Sequence, residues 1–152
     1  MSVRVQHEDF DVGAEIARVT TESGDVGGVA SFIGVVREGK GDGAIRSMTL
    51  EHYPGMTEKE LARIEAEARA RWPLAGSLII HRIGRLVPGD NIVLVVTASA
   101  HRQAALESCA FLIDWLKTKA PFWKSEESAS GPRWVAAQAS DDAAAARWEK
   151  KS

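Results

Sequence analysis

The chain has 152 residues, 45% of them hydrophobic and 26% charged, which suits one globular domain with a real core and excludes two comfortable ones. A net charge of -2 gives no global attraction to nucleic acid or to an anionic membrane, so any anion site has to be local. The single cysteine, Cys109, excludes an internal disulfide and a Cys-rich metal centre. No apolar run is long enough to span a bilayer, and MSVRVQHEDF carries no apolar signal segment. The expectation is a cytoplasmic protein with one domain over 1–152, in which 139–152 is a candidate mobile tail.

In chain order, the pattern predicts a short strand near Val3–Gln6 and a helix near Val12–Thr20. Val26–Arg37 (VGGVASFIGVVR) is rich in β-formers and studded with glycine, which predicts a strand with a bulge. Glu38–Gly43 (EGKGDG) is a polar loop; no helix-opening Gly-Lys-Ser/Thr follows, so it is not a phosphate loop. Ile45–Tyr53 predicts a strand. Thr57 and Glu60 form a capping-box pattern, opening a helix to about Trp72 that Pro73 closes. Ser77–Ile83 and Asn91–Ala98 are apolar β runs joined through the turn Pro88-Gly89-Asp90. Ser99 is the expected cap of a helix through about Lys119, stopped by Ala120-Pro121, with Phe122-Trp123-Lys124 in a loop. Arg133–Gln138 predicts a last strand, and Asp141–Lys151 a weak helix or frayed tail. Strands and helices mix without a strict βαβ rhythm, so the expected class is α+β with a mostly antiparallel sheet.

The helix after Ser99 carries the first chemical signal. At about 100° per residue, Leu106, Cys109, Ala110, Ile113 and Leu116 fall in one sector, the expected core stripe. Lys117 falls in the same sector, while Lys119 points the other way, in line with Trp115. Lys117 then either snorkels, with its ammonium in water beside a favourable helix C-terminus, or stands in a pocket. If Lys124 folds back toward Lys117, each ammonium lowers the other's pKa, which suits proton transfer. Phe111 and Trp115, four residues apart, lie off the expected stripe and would pack against another layer or a second subunit.

A second cationic cluster opens the same helix. In Ser99-Ala-His101-Arg102, free backbone N–H groups and the positive dipole end meet a bidentate guanidinium, a combination suited to phosphate or carboxylate. Arg37 ends the glycine-studded strand and by itself reads as a solvated charge. His81 sits in a β run and reads as a satisfied core or sheet-face histidine. The four histidines show no metal-ligand spacing, so no metal is expected. Cys109 reads as a small buried apolar residue and not as a nucleophile.

Six segments then fall in a recognisable order: Phe32-Ile-Gly-Val-Val-Arg37, Leu50-Glu-His-Tyr-Pro-Gly-Met56, His81-Arg-Ile-Gly84, Ser99-Ala-His-Arg102, Leu116 to Glu126 (LKTKAPFWKSE) and Gly131-Pro-Arg-Trp-Val135. Together they resemble the large, catalytic subunits of molybdopterin synthase over nearly the whole chain. That resemblance implies an α/β hammerhead fold and a homodimer at the centre of a heterotetramer. Two small ubiquitin-like subunits would each insert a C-terminal Gly-Gly thiocarboxylate into a pocket of this chain. The implied substrate is cyclic pyranopterin monophosphate, which gains two sulfurs to become the molybdopterin dithiolene. No cofactor is implied.

Carried over by position, Lys117 and Lys124 match the family's essential lysines. Arg37, His101 and Arg102 match substrate-binding positions, and Lys124, Ser125 and Glu126 match a further substrate-binding stretch. Val35 and Val36 fall in the segment with Arg37, although Val35 stands where some members carry a basic residue. The implied activity is sulfur transfer, with Lys117 as general acid/base or charge stabiliser and Lys124 assisting. The alternative is a non-catalytic dimeric scaffold that only docks a ubiquitin-like protein.

Overall fold

A computed structural model describes residues 2–135 and 139–149. The elements run β1 (Val3–Gln6), α1 (Val12–Thr20), β2 (Gly28–Val35), β3 (Ile45–His52), α2 (Met56–Arg71), β4 (Leu74–Arg82), β5 (Gly84–Leu86), β6 (Asn91–Ser99), α3 (Arg102–Lys119), β7 (Phe122–Ser128), β8 (Gly131–Val135) and α4 (Ala139–Ala146). One sheet has the order β1-β4-β6-β2 and the other β5-β3-β7-β8. Among the described residues β1 and β4 pair in parallel and the other pairs are antiparallel, so the fold is mixed α+β with antiparallel pairing dominant. No described helix is long and apolar enough to cross a membrane.

The first sheet is apolar on both faces because both are covered. Alternation along β4 and β6 turns Ile79, Val93 and Val95 toward α2 and α3, and turns Leu78, Ile80, Leu94 and Val96 toward α1. Each such side chain contributes roughly 1.5–3 kcal/mol by burial. The bulge expected in the glycine-studded strand is present between Gly34 and Val35 of β2.

Both expected helix caps shift. The residue before α2 is Gly55, at φ 82°, a backbone conformation glycine adopts without strain. The Glu58 carboxylate accepts its N–H at 3.0 Å. Thr57 is fully buried inside the helix, and its hydroxyl turns back to donate to the Tyr53 carbonyl at 2.9 Å. Glu60 pairs instead with Arg63 on the helix surface. At α3 the cap position is His101. Ser99 ends β6, and its hydroxyl donates to the Pro73 carbonyl at 2.8 Å.

The segment expected as a loop after α3 is a strand, β7, held between β3 and β8. Its polar composition hid it, since only part of its surface is covered. The last strand is β8, earlier than expected, and positions 136–138 of the expected strand lie outside the described residues. Asp141 belongs to a helix, α4, whose end is tied down. The Trp148 indole N–H donates to Asp114 at 2.7 Å, and the Trp115 indole N–H donates to the Ala145 carbonyl at 3.3 Å.

That helix and α2 explain why the buried side of α3 differs from the expected stripe. Phe111 is fully buried among Trp72, Trp115 and Trp148, so the other layer expected against this pair is present. The buried arc runs through Ala104, Ala105, Ser108, Cys109, Phe111, Leu112 and Leu116. Leu106, expected inside, is 62% exposed. Lys117 therefore flanks the buried arc instead of lying within it. Lys119 does point toward Trp115, its Nζ 4.7 Å from the ring centroid.

The entry into α3 is sterically tight. A Cβ on Gly27 would lie 2.2 Å from the Ala100 carbonyl oxygen, a backbone atom that cannot step aside alone. Gly27→Ala is expected to cost about 1–3 kcal/mol, read as a lower denaturant midpoint with an unchanged slope. An unaltered midpoint would show that the Ser99–Arg102 segment shifts freely.

Candidate active site

A cavity of about 330 Å³ opens where the ends of several elements converge. Met48 and Leu50 of β3, His81 of β4, Ile92 of β6 and Leu116 with Lys117 of α3 form much of its wall. Ala120 follows from the α3–β7 connection, Phe122, Trp123 and Lys124 come from β7, and Val135 and Asp141 close it from β8 and α4. Lys117 and Lys124 thus meet in one cavity, as the return of the chain after Pro121 required. The pairing of β7 with β3 sets Lys124 opposite Leu50, which fixes its height along the wall.

The electrostatics are those of two cations beside apolar surface. Burial lowers the Lys117 pKa below the ordinary lysine value, the neighbouring Lys124 ammonium lowers it further, and Asp141 opposes both. As a whole residue Lys117 stays open to solvent, which screens the effect of this shift on the stability of the fold. Cys109 is buried, as expected, and burial pushes its thiol up to about 11, which favours the protonated form.

The other residues singled out divide between the two ends of the first sheet. β2 starts with Gly28 opposite Ser99 and ends with Val35 opposite Asn91. Arg37 therefore leaves the sheet at the end where Ile92 enters the cavity wall. Val35 is half exposed there. Val36 is buried with Met48, Leu50 and Leu86; its N–H donates to the Asp90 carbonyl at 2.9 Å and its carbonyl accepts from Gly89 at 3.0 Å. Ser125 and Glu126 continue β7, where Ser125 pairs with Trp134 and Glu126 pairs with Arg133. The Glu126 carboxylate lies 3.6 Å from the Arg133 guanidinium.

His101 and Arg102 lie at the opposite end. Arg102 packs against the start of β2, its Cα 3.4 Å from where a Gly28 Cβ would be. Fifteen positions along α3 separate Arg102 from Lys117, roughly 22 Å at helical rise. Both residues are exposed. Within one chain, the His101–Arg102 cluster and the lysine cavity are separate places.

Two titratable residues of the cavity carry no functional signal in the sequence, His81 and Asp141. His81 had been read as a core histidine; it is buried, and it also forms part of the cavity wall. Asp141 had no signal at all, because a lone aspartate in an alanine-rich segment marks nothing until the helix is placed. Trp123 and Tyr53, with ring centroids 4.8 Å apart, extend an exposed aromatic surface from the cavity edge.

The family model described as MoaE protein matches residues 5–119. A molybdopterin synthase catalytic subunit of Pseudomonas aeruginosa is 53% identical over 150 residues, covering 99% of this chain and 100% of that protein. Among solved structures, a molybdopterin biosynthesis MoaE protein from Burkholderia ambifaria superposes with a TM-score of 0.83 at 49% identity, covering 97% of each chain. Molybdopterin synthase from Staphylococcus aureus superposes at 0.80 with 30% identity, covering 87% of this chain and 95% of that one. The motif order, the fold and these similarities converge, and the chain belongs to the MoaE family.

Proposed function

We propose that this chain works as the catalytic subunit of a cytoplasmic molybdopterin synthase, a sulfurtransferase in molybdenum cofactor biosynthesis. The observation that carries this reading is the meeting of Lys117 and Lys124 in one cavity with apolar walls. A small ubiquitin-like subunit supplies the sulfur as a C-terminal Gly-Gly thiocarboxylate. Glycines have no side chains to block a narrow channel, and the lysines attract the anionic terminus. The thiocarboxylate sulfur attacks a side-chain carbon of cyclic pyranopterin monophosphate, and the oxygen bound to that carbon leaves with a proton, so a C–S bond replaces a C–O bond without any change of oxidation state. Hydrolysis of the resulting acyl–sulfur bond leaves sulfur on the pterin and a carboxylate on the partner. A second transfer completes the dithiolene.

Lys117 carries the proton or stabilises charge at the reacting carbon, and its lowered pKa supports that role. Lys124 keeps that pKa low and helps hold the terminus. Arg37, His101 and Arg102 hold the phosphate and the polar edge of the pterin, while Val35, Val36, Ser125 and Glu126 belong to the surrounding binding stretches. If Arg102 and Lys117 serve one substrate, the distance between them requires two chains. The site is then shared across a homodimer, with one chain giving the lysines and its partner giving His101 and Arg102. Exposed Val29, Phe32 and Val35 on the edge strand β2, and Leu106 on α3, supply apolar surface for such a dimer.

Reconstitution tests this function. The chain mixed with thiocarboxylated small subunit and cyclic precursor should form the dithiolene, and neither protein should do so alone. Cys109→Ser should retain the chemistry, because the sulfur comes from the partner. Turnover by the isolated chain with free sulfide would overturn the partner-donated mechanism. Tight partner docking without any turnover would favour the scaffold alternative.

A further inference from the structure

The lysine cavity holds a buried imidazole, His81, that the proposed sulfur transfer does not use. His81 lies on the face of β4 that turns toward α2 and α3, opposite Val93 of β6, at the cavity end of the sheet. Its ring stacks on Phe122, with centroids 3.8 Å apart and planes 16° from parallel. Its Nδ1 lies 2.8 Å from the Arg82 carbonyl oxygen. A carbonyl can only accept, so Nδ1 carries the proton and Nε2 carries the lone pair. Phe122 and Arg82 together fix the ring plane and the tautomer.

We propose that His81 is a specificity-determining hydrogen-bond acceptor in the cavity, its Nε2 taking an N–H donor from the heterocycle of the bound substrate. This rests on the pterin-type substrate proposed above, whose ring edge is rich in N–H groups. As ammoniums the two lysines only donate, and as a neutral amine Lys117 keeps its lone pair for the proton it carries in sulfur transfer. Of the other polar side chains on the wall, Trp123 only donates, and Asp141 is an anion that pairs electrostatically with Lys117. A neutral imidazole is the group that can accept without quenching the lysines. Burial, with Lys117 and His52 nearby, brings the His81 pKa down to about 4, so it stays neutral at working pH. The strand that supplies Phe122 also supplies Lys124 two residues later, so the stack aligns acceptor and cation in one rigid unit.

His81→Phe keeps the ring and the stack and removes both nitrogens. It should bind the cyclic pterin precursor roughly tenfold more weakly by calorimetry, with docking of the small subunit unchanged. His81→Gln, which restores an acceptor, should recover part of the loss. Should the phenylalanine variant fail to fold, the wild-type protein decides. The ¹⁵N resonance of His81 Nε2 should show a free lone pair in the chain alone and move to the hydrogen-bonded range when precursor is added. An Nε2 resonance unchanged at saturating precursor overturns the role of His81 and leaves the substrate reading standing. Wild-type protein that does not bind the precursor overturns both.

Discussion

Lys117→Ala is expected to remove nearly all dithiolene formation, a loss of ~10²–10⁴-fold, while the protein stays folded. The side chain stands at the cavity wall outside the buried arc of α3, so its removal opens no core void. Lys119→Ala should stay close to wild type, since its ammonium lies over Trp115 on another side of the helix. Single-turnover assays with thiocarboxylated partner and precursor separate the two. Equal losses in both variants would show that the helix end matters as a whole and that Lys117 has no special part.

The pH dependence adds a sign. Burial first, and Lys124 second, favour the neutral amine of Lys117, so the limb of the rate profile that reports this amine should lie below the ordinary lysine range. Removing the second charge in Lys124→Ala should move that limb to higher pH. A limb that moves the other way would mean that Lys124 does not act on Lys117 through charge.

Mixed dimers provide the second large effect. Lys117→Ala and Arg102→Ala should each inactivate the homodimer, Arg102→Ala by the loss of a charge-assisted hydrogen bond worth roughly 1.5–3 kcal/mol. If each site takes its lysines from one chain and Arg102 from the other, a dimer of the two variants contains one doubly damaged site and one intact site. Random reassociation of equal amounts should then restore about a quarter of wild-type activity. The structural motive is the roughly 22 Å between the two residues on a single α3. No recovery, with mixed dimers demonstrated by mass spectrometry, would mean that both groups act within one chain or on different molecules.

Much of the fold was legible because periodicity reports local geometry. The apolar runs of β4 and β6 marked buried strands, and the glycine-studded strand declared its bulge. β7 was missed because strand propensity read from Lys-Ser-Glu-Glu-Ser is low, and only pairing on both edges makes it a strand. The caps of α2 and α3 went astray for a related reason. Thr57 and Ser99 have the right chemistry for caps, yet Thr57 lies inside α2, where its hydroxyl oxygen accepts from the Tyr53 N–H, and Ser99 ends β6, where its hydroxyl oxygen accepts from the His101 N–H ahead of the helix.

Arg37 became a candidate only through the family resemblance, whereas by itself the sequence determined the class of fold, Lys117 and Arg102 as candidate cations, and Cys109 as a small buried residue. Residue type and spacing suffice for these, because a cation beside apolar spacing or a thiol in a helical stripe is a local fact. The tertiary structure decided which surfaces cover which. The packing of α2 and α4 against Phe111 turned the buried arc of α3 away from Leu106 and left Lys117 at a cavity edge. It also brought His81 and Asp141 beside Lys117, across gaps in sequence that no periodicity spans. Charges and lone pairs act through space, so their effect on one another is set only when distant elements close around them.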